Sequence, residues 1–314
     1  MIPQQLTIET PYMVGPVHCY TLDLGDELIL FDTGPPTEAG RDLLKAHLDL
    51  SRLSQIIITH GHIDHCGQAA WLAQNSDADV YLPRLDIHKY EQSEQRLSAL
   101  FSLIADLGFR ESYIEVLRER FTKSAEPLRF PDHCKVAEEE LPPRLGVEVI
   151  GCPGHSQTDL IYAGNGWAVT GDTLLRGVFQ SPLLDVNLET GGRFRNYQAY
   201  CASIVKLAGL RSKKILPGHR QHVVSVEHTL LFYLNKMLRR VDFLLPQISS
   251  RSVAELINEL FPSMIDVFHI YLKASEIVFM KDFLAQPVLL ASALKGIDLY
   301  ESLEEPFCNV AEKQ

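Results

Sequence analysis

The stretch IIITHGHIDHCG, residues 56–67, sets His60, His62, Asp64 and His65 within six positions, directly after an unbroken apolar run. An apolar run rich in β-branched residues that stops at a Gly-containing turn reads as a buried strand presenting its turn at one edge of a sheet. His60 and His62 are two apart in an irregular turn, so both can aim at one ion. Asp64 and His65 emerge further along and can serve a second. Imidazole nitrogen suits zinc, copper, iron or nickel, and imidazole mixed with carboxylate suits hydrolytic zinc best.

The same pattern recurs four more times. LILFDTG gives Asp32, VEVIGCPGH gives His155, WAVTGD gives Asp172 and KKILPGH gives His219. In layered α/β folds, loops leaving strand ends at one edge of a sheet gather side chains from distant positions into one site. A lone histidine usually packs or faces water, and that reading holds for His18, His47, His88, His133, His228 and His269. His222, three residues beyond His219, stays open as a pocket group. The six cysteines, Cys19, Cys66, Cys134, Cys152, Cys201 and Cys308, form no CxxC pair, which points away from a disulfide framework and from a thiolate zinc site. Cys66, although it adjoins His65, reads as a small core residue.

At 314 residues, 46% apolar and 22% charged, the chain fits one large domain, or one domain with a smaller appendage, in an ordinary globular protein. A formal charge of −11 with scattered Lys and Arg disfavours nucleic acid as a partner. The start MIPQQLTIET has neither a basic nor an apolar leader segment, and no apolar run approaches the roughly 18 residues of a spanning helix. The expectation is a cytoplasmic protein with no membrane partner.

LTIET, VHCYTLDLG and ELILFDTG read as strands with a hairpin at Gly25-Asp26, CGQAAWLAQNS as a helix and ADVYLP as a further buried strand. From Arg84 to Arg120, Leu97, Leu100, Phe101, Ile104 and Leu107 recur at three- and four-residue intervals, which predicts a helical insertion. Strands resume with GVEVIGCPGH and DLIYAGNGWAVTGD, where Asn165-Gly166 predicts a type I′ hairpin. Residues 196 to 209 suit a helix. From about Ser225 to Gly296 strand signals nearly vanish, and TLLFYLNKMLRRVDFLL, SVAELINELF and VFHIYLKASEIVFMKDFLA predict a small helical appendage. Glu138 to Glu140 read as a solvated face.

With these residues in place, HGHIDH resembles the HxHxDH signature of the metallo-β-lactamase-fold hydrolases. Asp32, His155 in PGH, Asp172 in TGD and His219 in PGH look like that family's other four motif positions, in the same order. The resemblance spans roughly residues 1–224 and implies an α/β fold, a four-layer αββα sandwich with metals at one sheet edge. It implies a catalytic domain over 1–224 with the insertion at about 84–121. The tail, 225–314, is similar to the C-terminal helical appendage of the glyoxalase II and LACTB-like branch. Carried over by position, His60, His62 and His155 would hold one metal and Asp64, His65 and His219 a second. Asp172 would bridge them, and Asp32 would support the site by hydrogen bonding. The implied cofactor is two Zn2+, with Fe or Mn as alternatives. β-Lactamases proper usually lack one of these groups, so antibiotic hydrolysis is disfavoured, and flavodiiron-type relatives carry Glu in the place of His62. Two departures stand out: the enlarged segment between Gly67 and His155, and Arg220, which would bring positive charge to the second metal if it turned inward.

Two zinc ions roughly 3.5–4 Å apart would lower the pKa of a shared water toward about 7, so the expected nucleophile is a metal-bridging hydroxide. Asp64 would orient it and take its proton. The expected substrate is a small carbonyl compound, a thioester, lactone or ester. Three other readings remain: a phosphodiesterase or ribonuclease, an iron-dependent enzyme of the persulfide-dioxygenase type, and a binding module without turnover. Residues 84–121 and 176–197 are expected to wall the pocket, with Arg176, Arg193 and Arg195 solvated. The tail could lid the pocket or form a homodimer.

Overall fold

The central strands are buried on both faces, and alternate side chains join different cores, which decides how the layers stack. A computed structural model describes residues 1–123, 130–131, 133–248, 250–263 and 266–311. The first part of the chain runs β1 (Gln4–Ile8), β2 (Val17–Asp23), β3 (Leu28–Phe31), α1 (Glu38–His47), β4 (Leu53–Ile57), α2 (Ile63–Cys66), α3 (Ala69–Gln74) and β5 (Asp79–Leu82). The insertion contributes α4 (Arg84–Glu91), α5 (Ser93–Asp106) and α6 (Glu111–Lys123). Then follow β6 (Lys135–Val136), α7 (Ala137–Glu140), β7 (Glu148–Gly151), β8 (Leu160–Gly164), β9 (Trp167–Gly171), α8 (Asn196–Ala208) and β10 (Lys214–Pro217). The tail is α9 (Val226–Ile248), α10 (Val253–Leu260), α11 (Val267–Ala285), α12 (Pro287–Lys295) and α13 (Glu304–Ala311).

The strands form a six-stranded sheet, β1-β2-β3-β4-β5-β6, and a four-stranded sheet, β10-β9-β8-β7. In β3, Leu28 and Leu30 pack outward with Leu44 of α1 and Leu72 of α3, while Ile29 and Phe31 point inward. In β8, Leu160 and Tyr162 point inward, while Ile161 and Ala163 face a helical layer that includes Tyr197 and Ile204 of α8. Period-two alternation with both faces apolar therefore gives each sheet one helical cover and one sheet partner, the four-layer αββα order. Phe31, fully buried between the sheets, lies 5.6 Å from Trp167 and 5.8 Å from Tyr162 by ring centroid. Burying a side chain of that size contributes about 1.5–3 kcal/mol.

Strand direction then fixes where the loops emerge. β3, β4 and β5 are mutually parallel, β9 is parallel to β10, and β7 is antiparallel to β8, which is antiparallel to β9. The carboxyl ends of β7, β9 and β10 therefore share one edge of their sheet, as those of β3 and β4 do of theirs. Asp32, His60, His155, Asp172 and His219 all follow such ends.

One expectation is corrected here. The β8–β9 hairpin forms, and Gly166 takes φ +80, but Asn165 is not among the residues with positive φ, so the turn is not type I′. Gly164, over which the Trp167 indole lies, and Gly166 give the turn its freedom, and Asn165 need not enter the left-handed region. The helical tail packs closely on the rest of the chain. Val223 and Val226, on either side of the expected boundary, lie in one core with α5, α6, α8 and α9 to α13, laid over the outer face of the second sheet. α11 is buried from Ala274 through Met280 without a break, which marks a central helix of a core. Among the described residues no single helix is long and apolar enough to cross a membrane, and α11 with α12 is bent by 81°.

Candidate metal centre

Three histidines of the site have one ring nitrogen committed to a carboxylate or carbonyl oxygen. His65 Nδ1 lies 2.8 Å from Asp32 Oδ2, His155 Nδ1 lies 2.8 Å from the Ser181 carbonyl, and His219 Nδ1 lies 2.7 Å from the Pro16 carbonyl. An unprotonated oxygen only accepts, so the Nδ1 proton is fixed in all three, and each Nε2 turns to a common centre. His65 Nε2 is 3.3 Å from His219 Nε2, and His219 Nε2 is 3.2 Å from Asp64 Oδ2. On the other side, His60 Nε2 and His155 Nε2 lie 2.8 and 3.2 Å from His62 Nδ1.

Asp172 stands between the two groups. Its Oδ1 is 3.5 Å from His65 Nε2 and 3.6 Å from His219 Nε2, and its Oδ2 is 3.8 Å from His155 Nε2. Oδ1 is buried and accepts no hydrogen bond. A buried carboxylate oxygen without a partner is costly, and so are imidazole nitrogens packed this closely with one another. Divalent cations resolve both. The ligand-type atoms of His60, His62 and His155, of Asp64, His65 and His219, and of His60, His65 and Asp172 each fall within 4.8 Å of one another. The donor set is nitrogen and carboxylate oxygen, with no thiolate: the Cys66 thiol donates to the His62 carbonyl, and burial holds its pKa well above the usual thiol range.

The protonation pattern fits the same occupant. Burial, with His65 and His155 close by, holds His60 and His62 well below the usual imidazole range, so both are neutral ligands in waiting. Burial opposes a charge on His65, but Asp32, Asp172 and Asp64 outweigh it and raise that imidazole well above its ordinary value. The negative field of these three carboxylates would favour a metal cation at His65 Nε2 as well. Burial works against ionised Asp64 and Asp172 as well, yet the neighbouring histidines hold both below the usual carboxylate range.

The chain builds this geometry from both sheets. Asp32 adopts φ +56 at the end of β3 and accepts from the Thr59 backbone N–H at 2.8 Å as well as holding His65. Tyr162 donates across the sandwich to the Ile58 carbonyl at 2.8 Å, and Tyr20 to the Pro217 carbonyl at 2.7 Å, which ties the His60 and His219 loops to the opposite sheet. His18 has the structural role expected: its Nε2 meets the Arg220 carbonyl at 2.7 Å and its backbone N–H donates to the Gly218 carbonyl at 2.7 Å.

Two further carboxylates were not legible in the sequence. Asp86 of α4, buried, accepts from the Gly61 N–H at 2.6 Å and so holds the turn between His60 and His62. Asp159, also buried, accepts from Ser156 N at 2.7 Å and Ser156 Oγ at 2.8 Å, closing the turn that carries His155. Both act on backbone of the metal-facing loops, and no motif spells that. His222, Arg220, Arg176 and Arg195 are exposed, so Arg220 does not turn inward. Arg193 departs from the expected solvated role. It makes a two-pronged ion pair with Asp282 of α11 at 2.7 Å for each contact.

A family model described as the Metallo-beta-lactamase superfamily matches residues 12–219. The chain belongs to the metallo-beta-lactamase superfamily. It is thereby a metal-dependent hydrolase. The probable metallo-hydrolase YqjP of Bacillus subtilis (strain 168) is 23% identical over 326 residues, covering 94% of this chain and 96% of the relative. Among solved structures, a metallo-beta-lactamase family protein of Thermus thermophilus superposes with a TM-score of 0.72 at 22% identity, covering 91% of this chain and 94% of that one. A beta-lactamase domain protein of Burkholderia ambifaria superposes at 0.68 with 15% identity, covering 91% and 86%. Residues 1–224 alone could not give such coverage, so the likeness to these two structures extends into the tail.

Proposed function

We propose that the seven side chains hold two zinc ions and that the protein is a dinuclear hydrolase of small carbonyl substrates, a thioester, lactone or ester, in the manner of the glyoxalase II and LACTB-like branch. His60, His62 and His155 take one ion, Asp64, His65 and His219 the other, and Asp172 bridges. The observation that carries the reading is the pair of donor clusters with the buried Asp172 carboxylate between them, its Oδ1 free of hydrogen bonds and turned to His65 and His219, its Oδ2 turned to His155. Divalent cations held by these residues would supply Lewis-acid chemistry, activating a water and polarising a carbonyl. The protein's own part is orientation and proton handling. Asp64, ionised beside His65 and His219, presents Oδ2 to accept the proton of the attacking water. Asp32 keeps the His65 proton on Nδ1 and leaves Nε2 for the metal. No serine or cysteine nucleophile is required. The paired Arg193 and the solvent-facing Arg176, in a chain of charge −11, favour a neutral carbonyl centre over a polyanionic substrate.

The test combines metal analysis of the purified protein with a panel of thioesters, lactones, esters and phosphodiesters. Zinc-dependent turnover on the carbonyl compounds is expected, with His62→Ala and Asp172→Ala each losing at least about a thousandfold in kcat/KM while keeping the native circular dichroism. Near-normal turnover by either variant with metal supplied would contradict the assignment, and activity confined to phosphodiesters would replace the substrate class.

A further inference from the structure

The side of His155 that faces away from the candidate metals leads directly into the helical tail. Its Nδ1–H donates to the Ser181 carbonyl at 2.8 Å, and the Ser181 hydroxyl donates to Glu276 Oε1 of α11 at 3.2 Å. Glu276 is buried and acidic, and it is matched by two cations, Arg240 of α9 at 2.7 Å and Lys273 of α11 at 2.9 Å. The residues just before Ser181 are gripped by the same helices. Tyr233 of α9 donates to the Gln180 carbonyl at 2.8 Å and stacks on Phe179 with ring centroids 4.5 Å apart, and the Arg240 guanidinium covers Phe179 at 4.5 Å. Just after it, Tyr271 donates to the Leu184 carbonyl at 2.5 Å, and Ser275 accepts from the Leu184 N–H at 3.0 Å. The Leu183 N–H closes the circuit by donating to the His155 carbonyl at 2.8 Å.

We infer that Glu276, acting through Ser181, is a positioning residue for His155, and that the tail helices α9 and α11 fix one of the two metal sites and not the other. The inference rests on the dinuclear reading above. The asymmetry is built in: the groups that orient His65 and His219, namely Asp32 and the Pro16 carbonyl, come from the first sheet and the loop between β1 and β2, whereas the acceptor for His155 hangs on α9 and α11. Glu276 is thus two hydrogen bonds from a ligand nitrogen although it follows His155 by 121 positions in the chain. Its two cationic partners hold the carboxylate in place, so Ser181 has a fixed acceptor and its carbonyl a defined direction.

The test is a two-site zinc titration by chelator competition on the full chain, with wild type, Ser181→Ala, Glu276→Ala and Glu276→Gln. Wild type is expected to bind two ions. Ser181→Ala and Glu276→Ala are expected to weaken one of the two dissociation constants by about 10- to 100-fold and leave the other as in wild type. Glu276→Gln, which retains an acceptor oxygen for Ser181, is expected to recover most of the loss. Ser181→Ala removes a single hydroxyl, so it remains informative if Glu276→Ala fails to fold. Two unchanged constants in Ser181→Ala, or equal weakening of both sites, would overturn the positioning role and leave the dinuclear reading intact. A wild type that does not bind two ions would overturn that reading and this inference with it.

Discussion

Residue by residue, the site depends on side chains whose charge state is set by burial and by one or two neighbours. Asp159 is the clearest case outside the ligand set. Burial pushes its carboxyl up to about 6 from an ordinary 3.8, against the lowering effect of His155 and Ser156. The native state thus holds a proton that the unfolded chain releases. The stabilisation from this proton is fully present below about pH 4 and is lost as pH rises through about 6. In chemical unfolding of the metal-free protein, the stability of wild type relative to Asp159→Asn is expected to fall by up to about 3 kcal/mol between those limits. A pH-independent difference would contradict it. At this scale the ligand letters themselves were plain in the sequence, because most stand beside a glycine at a strand end. Asp86 and Asp159 were not, since each acts on the backbone of a turn whose position relative to it exists only in the folded chain.

Among the elements, α2 is one of the shortest and the most consequential, because its four residues include Asp64 and His65. Its exit at Gly67 is closed in: a Cβ there would lie 2.4 Å from Pro36 Cδ and 2.5 Å from both Pro36 N and the Ile63 carbonyl. None of these can swing aside as a flexible side chain does. Gly67→Ala is expected to cost about 1–3 kcal/mol in chemical unfolding and to lower zinc affinity by displacing α2. Gly296→Ala, at φ −65 with no contact under 3.4 Å, is expected to be neutral or slightly stabilising. Equal stability of the two variants would sink this account of α2. Short apolar runs rich in β-branched and aromatic residues and ended by glycine made β3, β8 and β9 legible, and three- and four-residue spacing did the same for α5. The form of the Asn165 turn was legible only in part: Gly166 takes the positive φ that Asn-Gly predicts, and Asn165 does not. The rank of α11 was not legible, because its largely apolar surface carries no stripe to say which neighbours will cover it.

At the scale of the whole molecule, two sheets have to meet so that loops from β3 and β4 face loops from β7, β9 and β10. The tyrosines that cross the sandwich and the tail helices behind Ser181 hold that meeting in place. The sequence showed the candidate ligands, and the resemblance supplied their assignment and the sandwich, but the tail's packing on the main core depends on contacts across the chain that no local pattern records. The most direct measurement is anomalous diffraction at the zinc edge from crystals grown with zinc. The account predicts two peaks, one among His60, His62 and His155 and one among Asp64, His65 and His219, with Asp172 between them. No peak at that sheet edge, or a single peak that leaves either set of imidazoles pointing away, would contradict it.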